Sequence, residues 1–86
     1  MLNNEFYVIV FDSTHHAIQT EQRLRGNFKI ETIPTPREIT ASCGLSIKFS
    51  ETSLQGILNI LKEEEKRYKV YKIERTGTHR NVSQIC

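Results

Sequence analysis

The stretch EFYVIVFDSTHHAIQTEQRLRG, Glu5 to Gly26, decides the fold. Its first seven residues are almost continuously apolar, β-branched or aromatic, the composition of a central strand covered on at least one face. Asp12 and Ser13 interrupt that run and offer a side-chain oxygen for a helix N-cap. Thr14 to Arg25 then predicts a helix in which Ala17, Ile18, Glu21 and Leu24 lie near one face, all but Glu21 able to point at a sheet. Gly26 suits the left-handed position that follows a helix C-terminus.

Working outward, Phe28, Ile30 and Thr32 alternate with Lys29, Glu31 and Ile33, which predicts a second strand. Pro34 and Pro36 stop it, because neither can donate to a ladder. A loop of roughly ten residues leads to GLSIKF, Gly44 to Phe49, where Leu45, Ile47 and Phe49 alternate with Ser46 and Lys48 in a third strand with one buried face. Ser50 is placed to cap the next helix, with Glu51 in its first turn. Leu54, Ile57, Leu58 and Leu61 form the clearest helical stripe in the chain. The mixed charges from Lys62 to Arg67 read as its solvated end, and Tyr68, Val70, Tyr71 and Ile73 as a fourth strand. Residues 76–86 read as a polar C-terminal tail in which Val82 and Ile85 dock weakly.

The order β-α-β-β-α-β predicts an α+β ferredoxin-like sandwich over residues 1–75: a four-stranded antiparallel sheet with two helices on one face. In that topology the third strand lies between the first two and is reversed. Cys43, just ahead of it, is thereby brought toward Ser13, Thr14, His15 and His16 and toward the turn at Arg67-Tyr68.

Bulk properties exclude several classes. Eighty-six residues make one domain with a modest core. A formal charge of +2 is too weak to argue for nucleic acid. No apolar run approaches the roughly 18 residues of a membrane span, and the first residues lack the pattern of a secretory signal. Two cysteines allow at most one bridge, so a reducing cytoplasm is the expected setting. There is no Gly-rich phosphate loop. Adjacent His15 and His16 point about 100° apart on a helix, a poor arrangement for one metal ion, so neither a metal nor another cofactor is expected.

The chemistry therefore concentrates on Ile33-Pro34-Thr35-Pro36-Arg37-Glu38-Ile39-Thr40-Ala41-Ser42-Cys43-Gly44-Leu45. Two prolines stiffen the entry, and Arg37 puts a cation on the loop. Gly44 leaves space beside the sulfur. The start of the first helix supplies Ser13, Thr14 and His15 as a supporting pocket. An exposed thiol in an electropositive setting is a nucleophile or a carrier of a transferable chalcogen atom. A thiol packed before a strand is instead a small hydrophobe. Ser13 reads as a cap rather than a nucleophile, since no base and acid are legible around it.

Three stretches carry a family resemblance: Phe11-Asp12-Ser13-Thr14-His15-His16-Ala17 with Glu21 and Leu24; Ile33 to Ile39; and Ser42-Cys43-Gly44-Leu45-Ser46-Ile47. In their order and spacing, over roughly residues 5–75, the chain resembles the small bacterial domain family called putative Se/S carrier protein-like. The resemblance implies a compact α+β fold and a role in carrying selenium or sulfur. Cys43 is then the carrier thiol beside Gly44, and Pro36-Arg37 the family's Pro-Arg element.

The expectation is a non-catalytic carrier that holds sulfur or selenium as a persulfide or perselenide on Cys43. It would take the atom from a donor such as a cysteine desulfurase and pass it to an acceptor protein, with no nucleic acid or membrane involved. Two rivals remain. One is a small-ligand or anion-binding regulatory module, a homodimer in some versions, with Cys43 structural and Arg37 and the helix start binding the anion. The other is a redox switch pairing Cys43 with Cys86.

Overall fold

The computed structural model describes residues 4–63 and 67–86. Strands β1 (Asn4–Phe11), β2 (Glu31–Pro34), β3 (Leu45–Phe49), β4 (Tyr68–Thr76) and β5 (His79–Gln84) form one sheet in the order β2-β3-β1-β4-β5, every adjacent pair antiparallel. Helices α1 (Thr14–Arg25) and α2 (Leu54–Leu61) complete an α+β architecture, and a short 3-10 turn, Glu51–Ser53, leads into α2. As the order of elements predicted, β3 lies between β1 and β2 and runs against both.

The sheet has five strands, not four. The additional one comes from the segment expected to be a polar tail. Gly77 has φ +60° while Thr78 does not take a positive φ, so Gly77-Thr78 makes a two-residue turn of the II′ kind, whose twist matches antiparallel strands. β5 then pairs with β4 from Thr76↔His79 to Tyr71↔Gln84. Beyond it, Ile85 N–H donates to Val70 O (2.8 Å) and Val70 N–H to Cys86 O (3.2 Å). Two residues thus oppose one, a bulge. It leaves Ile85 exposed and lets Cys86 pack against the helix-side core.

β1 is covered on both faces, which accounts for its unbroken apolar run. Tyr7, Ile9 and Phe11 join Ile47, Phe49, Tyr68 and Val70 with Ala17 and Leu24 of α1 and Ile57 and Leu61 of α2. Each such side chain, fully buried, contributes roughly 1.5–3 kcal/mol. Val8 and Val10 face the other way, with Ile73 beneath Ile39. Ile39 belongs to the proline-framed loop. A turn closed by Ile39 N–H to Pro36 O at 3.0 Å drops its side chain onto the sheet. The loop is therefore a cover for the second face, held also by Glu38 and Arg80 of β5 at 3.7 Å.

Several local expectations are corrected. The second strand begins at Glu31 rather than Phe28, because Asn27 and Phe28 N–H groups both return to Leu24 O and finish α1. Phe28 packs against the helix-side core instead of alternating in a ladder. Gly26 is right-handed (φ −73°), not left-handed. On α1, Thr20 is buried in the stripe, while Ile18 is 47% exposed and lines a small gap with Thr32 and Leu45 at the sheet's edge. Ser50 precedes the 3-10 turn and makes no capping bond; its hydroxyl meets that of Thr52 at 2.8 Å. Of the expected solvated end of α2, Lys62, Glu63 and Arg67 are exposed, and Glu64, Glu65 and Lys66 lie outside the described residues.

Candidate functional site

The site forms where β1 hands the chain to α1. Ser13 has extended backbone and its Oγ accepts the His16 N–H at 3.2 Å, the N-cap its position predicted. The next residue, Thr14, projects its hydroxyl toward the segment that enters β3 from the covering loop. There Thr14 Oγ1 lies 3.5 Å from Cys43 Sγ. The Leu45 N–H donates to the same sulfur at 3.3 Å, a local turn in which the thiol caps the amide two residues on.

A threonine not singled out by the sequence fixes the backbone around this sulfur. Thr35 N–H donates to Gly44 O at 2.9 Å, and Thr35 Oγ1 donates to Cys43 O at 3.0 Å. A hydroxyl has one hydrogen. The 2.8 Å contact between Thr35 and Ser46 must therefore be Ser46 donating to Thr35. Ser46 is fully buried because the loop covers its face of β3, and this bond satisfies it. The loop is thus clasped shut at its two ends, with Thr35 on one side and Cys43-Gly44 on the other.

The clasp overturns one expectation. Cys43 is 2% exposed and belongs to the helix-side core, so the thiol does not face solvent. The groups bonded to its sulfur are a hydroxyl and an amide, not a guanidinium or imidazolium. Gly44 beside it is exposed, as are Arg37, Thr14 and His15, whereas Pro36, within the covering loop, is buried. His16 stacks edge-on against Phe11 (5.3 Å, 76°), and its Nδ1 lies 4.0 Å from Asp12 Oδ1. Among the described residues, no group of three or more His, Cys, Asp or Glu is arranged to hold a metal ion.

Cys43 and Cys86 are both free. Cys43 precedes β3 and Cys86 follows β5, with β1 and β4 between. Strand spacing separates them by roughly 10–15 Å, more than the ~7 Å between Cα atoms that a disulfide tolerates. The folded register therefore keeps the two thiols apart.

Sequence reasoning placed Cys43 beside the start of α1 but missed Thr35 and Ser46. The available signal was Ile39, an apolar residue in mid-loop, which marks the loop as a cover and turns the polar face of β3 inward. A family model described as Putative Se/S carrier protein-like matches residues 6–73. No curated protein and no solved structure matches the chain.

Proposed function

This chain belongs to the putative Se/S carrier protein-like family, and from that premise we propose that Cys43 carries the atom, as a persulfide or perselenide. The observation that supports it is the pair of groups on the sulfur, the Leu45 amide and the Thr14 hydroxyl. Both can donate to an anionic sulfur, and Thr14 can equally accept from a thiol. One arrangement serves the protein before and after proton loss.

The transfer needs no net oxidation. The Cys43 thiolate attacks the outer sulfur of a donor persulfide, a new S–S bond forms, the donor's S–S bond breaks, and the donor leaves as a thiolate. An acceptor thiolate then attacks the outer sulfur held on Cys43, the acceptor's S–S bond forms, and Cys43 leaves as the thiolate. A desulfurase-type protein is a donor of the required chemistry, and the reducing cytoplasm is the setting in which such a thiol persists. Because Cys43 is 2% exposed, each step requires the Thr35 clasp to open, and the closed state shields the loaded atom from other thiols. Arg37, exposed on the same loop, is available to a docking partner. Incubation with a persulfide donor, followed by intact mass and peptide mapping, tests this reading.

The burial of Cys43 also favours a second reading, in which the thiol is packing and the domain is a binding module. Native-state alkylation separates the two. A carrier exposes Cys43 through clasp opening faster than the whole protein unfolds, whereas a packing residue reacts only through global unfolding.

A further inference from the structure

The two edges of the sheet are unlike. β2 is four residues long and ends in Pro34, which has no N–H to offer another strand. β5 is six residues, HRNVSQ, with neither proline nor lysine, and among the described residues no strand lies beyond it. The Gly77-Thr78 turn makes Thr76 and His79 the closing hydrogen-bonded pair, and the ladder alternates from there. Asn81 and Ser83 therefore turn their backbone groups toward β4, as Ile85 still does with its N–H on Val70 O at 2.8 Å. Arg80, Val82 and Gln84 turn theirs outward. Such a row of outward amides and carbonyls is a template for one more strand.

We propose that β5 pairs with β5 of a second copy of this chain, antiparallel and centred on Val82, to give a dimer with one continuous sheet. The strand is self-complementary in this register. Val82 opposes Val82 of the second copy, which extends the apolar row of Phe6, Ile73 and Val82 on the second face. Asn81 opposes Ser83, polar against polar. Arg80 opposes Gln84, so the two Arg80 side chains stand roughly 13 Å apart along the strands, beyond the ~8 Å at which salt screens exposed charges. Each also keeps its own Glu38 at 3.7 Å. The outward groups supply about six new backbone hydrogen bonds. A two-fold axis through Val82 closes the assembly at two copies, whereas pairing of β5 with β2 would propagate without closing, and Pro34 opposes it. Cys43 precedes β3, with β1 and β4 between it and this edge. The dimer therefore leaves both Thr14–Cys43 contacts uncovered, and the proposal stands whether or not Cys43 carries sulfur.

The test is sedimentation equilibrium of the full chain under reducing conditions, with amide-resolved hydrogen exchange at micromolar and millimolar concentration. A monomer–dimer equilibrium is expected. The amides of Arg80, Val82 and Gln84 are expected to exchange about tenfold more slowly at the higher concentration, once most chains are paired. The amide of Thr32, on the β2 edge, is expected to keep its rate. Gln84 makes one exposed side-chain bond, to Cys86 O at 3.3 Å, so its substitution leaves the fold intact. Gln84→Arg sets a cation opposite Arg80 of the second copy and is expected to weaken the dimer about threefold or more, because the pair occurs twice. Gln84→Glu is expected to tighten it by a similar factor. Ser83→Glu adds the same charge opposite Asn81 and is expected to tighten it less. A chain that stays monomeric at millimolar concentration, growth beyond two copies, a dimer that leaves those three amides unprotected, or one indifferent to Gln84→Arg would overturn the proposal.

Discussion

The hydroxyl of Thr14, first residue of α1, lies 3.5 Å from the sulfur of Cys43, 29 residues further along the chain. The contact joins the start of α1 to the loop's exit, and it is independent of the helix cap, which Ser13 supplies. Thr14→Val keeps the shape and removes the donor. The expected result is a change in stability of no more than about 1 kcal/mol, with sulfur loading of Cys43 slowed about tenfold, equivalent to roughly 1.4 kcal/mol. Denaturant titration and time-resolved intact mass read the two effects separately.

Thr35→Val opens the clasp. It removes the acceptor for the buried Ser46 hydroxyl and the donor to Cys43 O, while leaving the Thr35 amide bond to Gly44 in place. A stability loss of about 1–3 kcal/mol is expected from the unsatisfied groups. Native-state alkylation of Cys43 should accelerate by more than that global loss explains. Alkylation no faster than global unfolding would show that the loop does not open separately.

Truncation after Thr76 distinguishes a strand from a tail. It deletes the pairing of β4 with β5 and uncovers Ile73, against which Val82 packs. A destabilisation of at least about 2 kcal/mol is expected from lost burial and ladder bonds. Truncation with an unchanged midpoint in urea would contradict the role assigned to β5.

Gly56→Ala sets helix propensity against packing. Alanine favours a helix interior by about 1 kcal/mol, but a methyl here would stand 2.7 Å from Phe28 Cε1. The ring is packed against the core, so the substitution is expected to destabilise by about 1–2 kcal/mol. In a Phe28→Leu background the same change should cost less or become stabilising.

Lys72 Nζ lies 3.6 Å from Glu5 Oε2 and 3.8 Å from Glu74 Oε2. The Glu5 carboxylate, and then Glu74, hold its ammonium above the usual lysine value of 10.5. A raised value in the folded chain means stability that is present below the ordinary lysine range and lost as pH climbs through the raised value. The advantage of the wild type over Lys72→Met should therefore be constant near neutrality, shrink under alkaline conditions, and weaken with added salt.

The sequence made the central layer legible because β1 and α2 carry unambiguous patterns. Leu54, Ile57, Leu58 and Leu61 could only be one helix face, and the Glu5–Phe11 run could only be a covered strand. The placement of β3 between β1 and β2 followed from the order of elements and brought Cys43 to Thr14. What was not legible were interactions created by covering the second face. Ser46 alternates like a solvent residue, yet it is fully buried once Ile39 brings the loop across. Cys43 reads as a loop thiol, yet it continues the Leu45–Ile47 alternation and joins the helix-side core. β5 was hidden because His79–Gln84 pairs at a sheet edge with little apolar content, although Gly77-Thr78 carries the turn signal that predicts a hairpin.

The central claim is that Cys43 accepts a chalcogen atom in the native protein. Incubating the folded chain with a persulfide donor, and then mapping the added mass by peptide, tests it most directly. The account predicts a gain of about 32 Da, one sulfur atom, on Cys43, removable by an acceptor thiol. Protein that gains no mass while folded, or gains it on Cys86 alone, would contradict it.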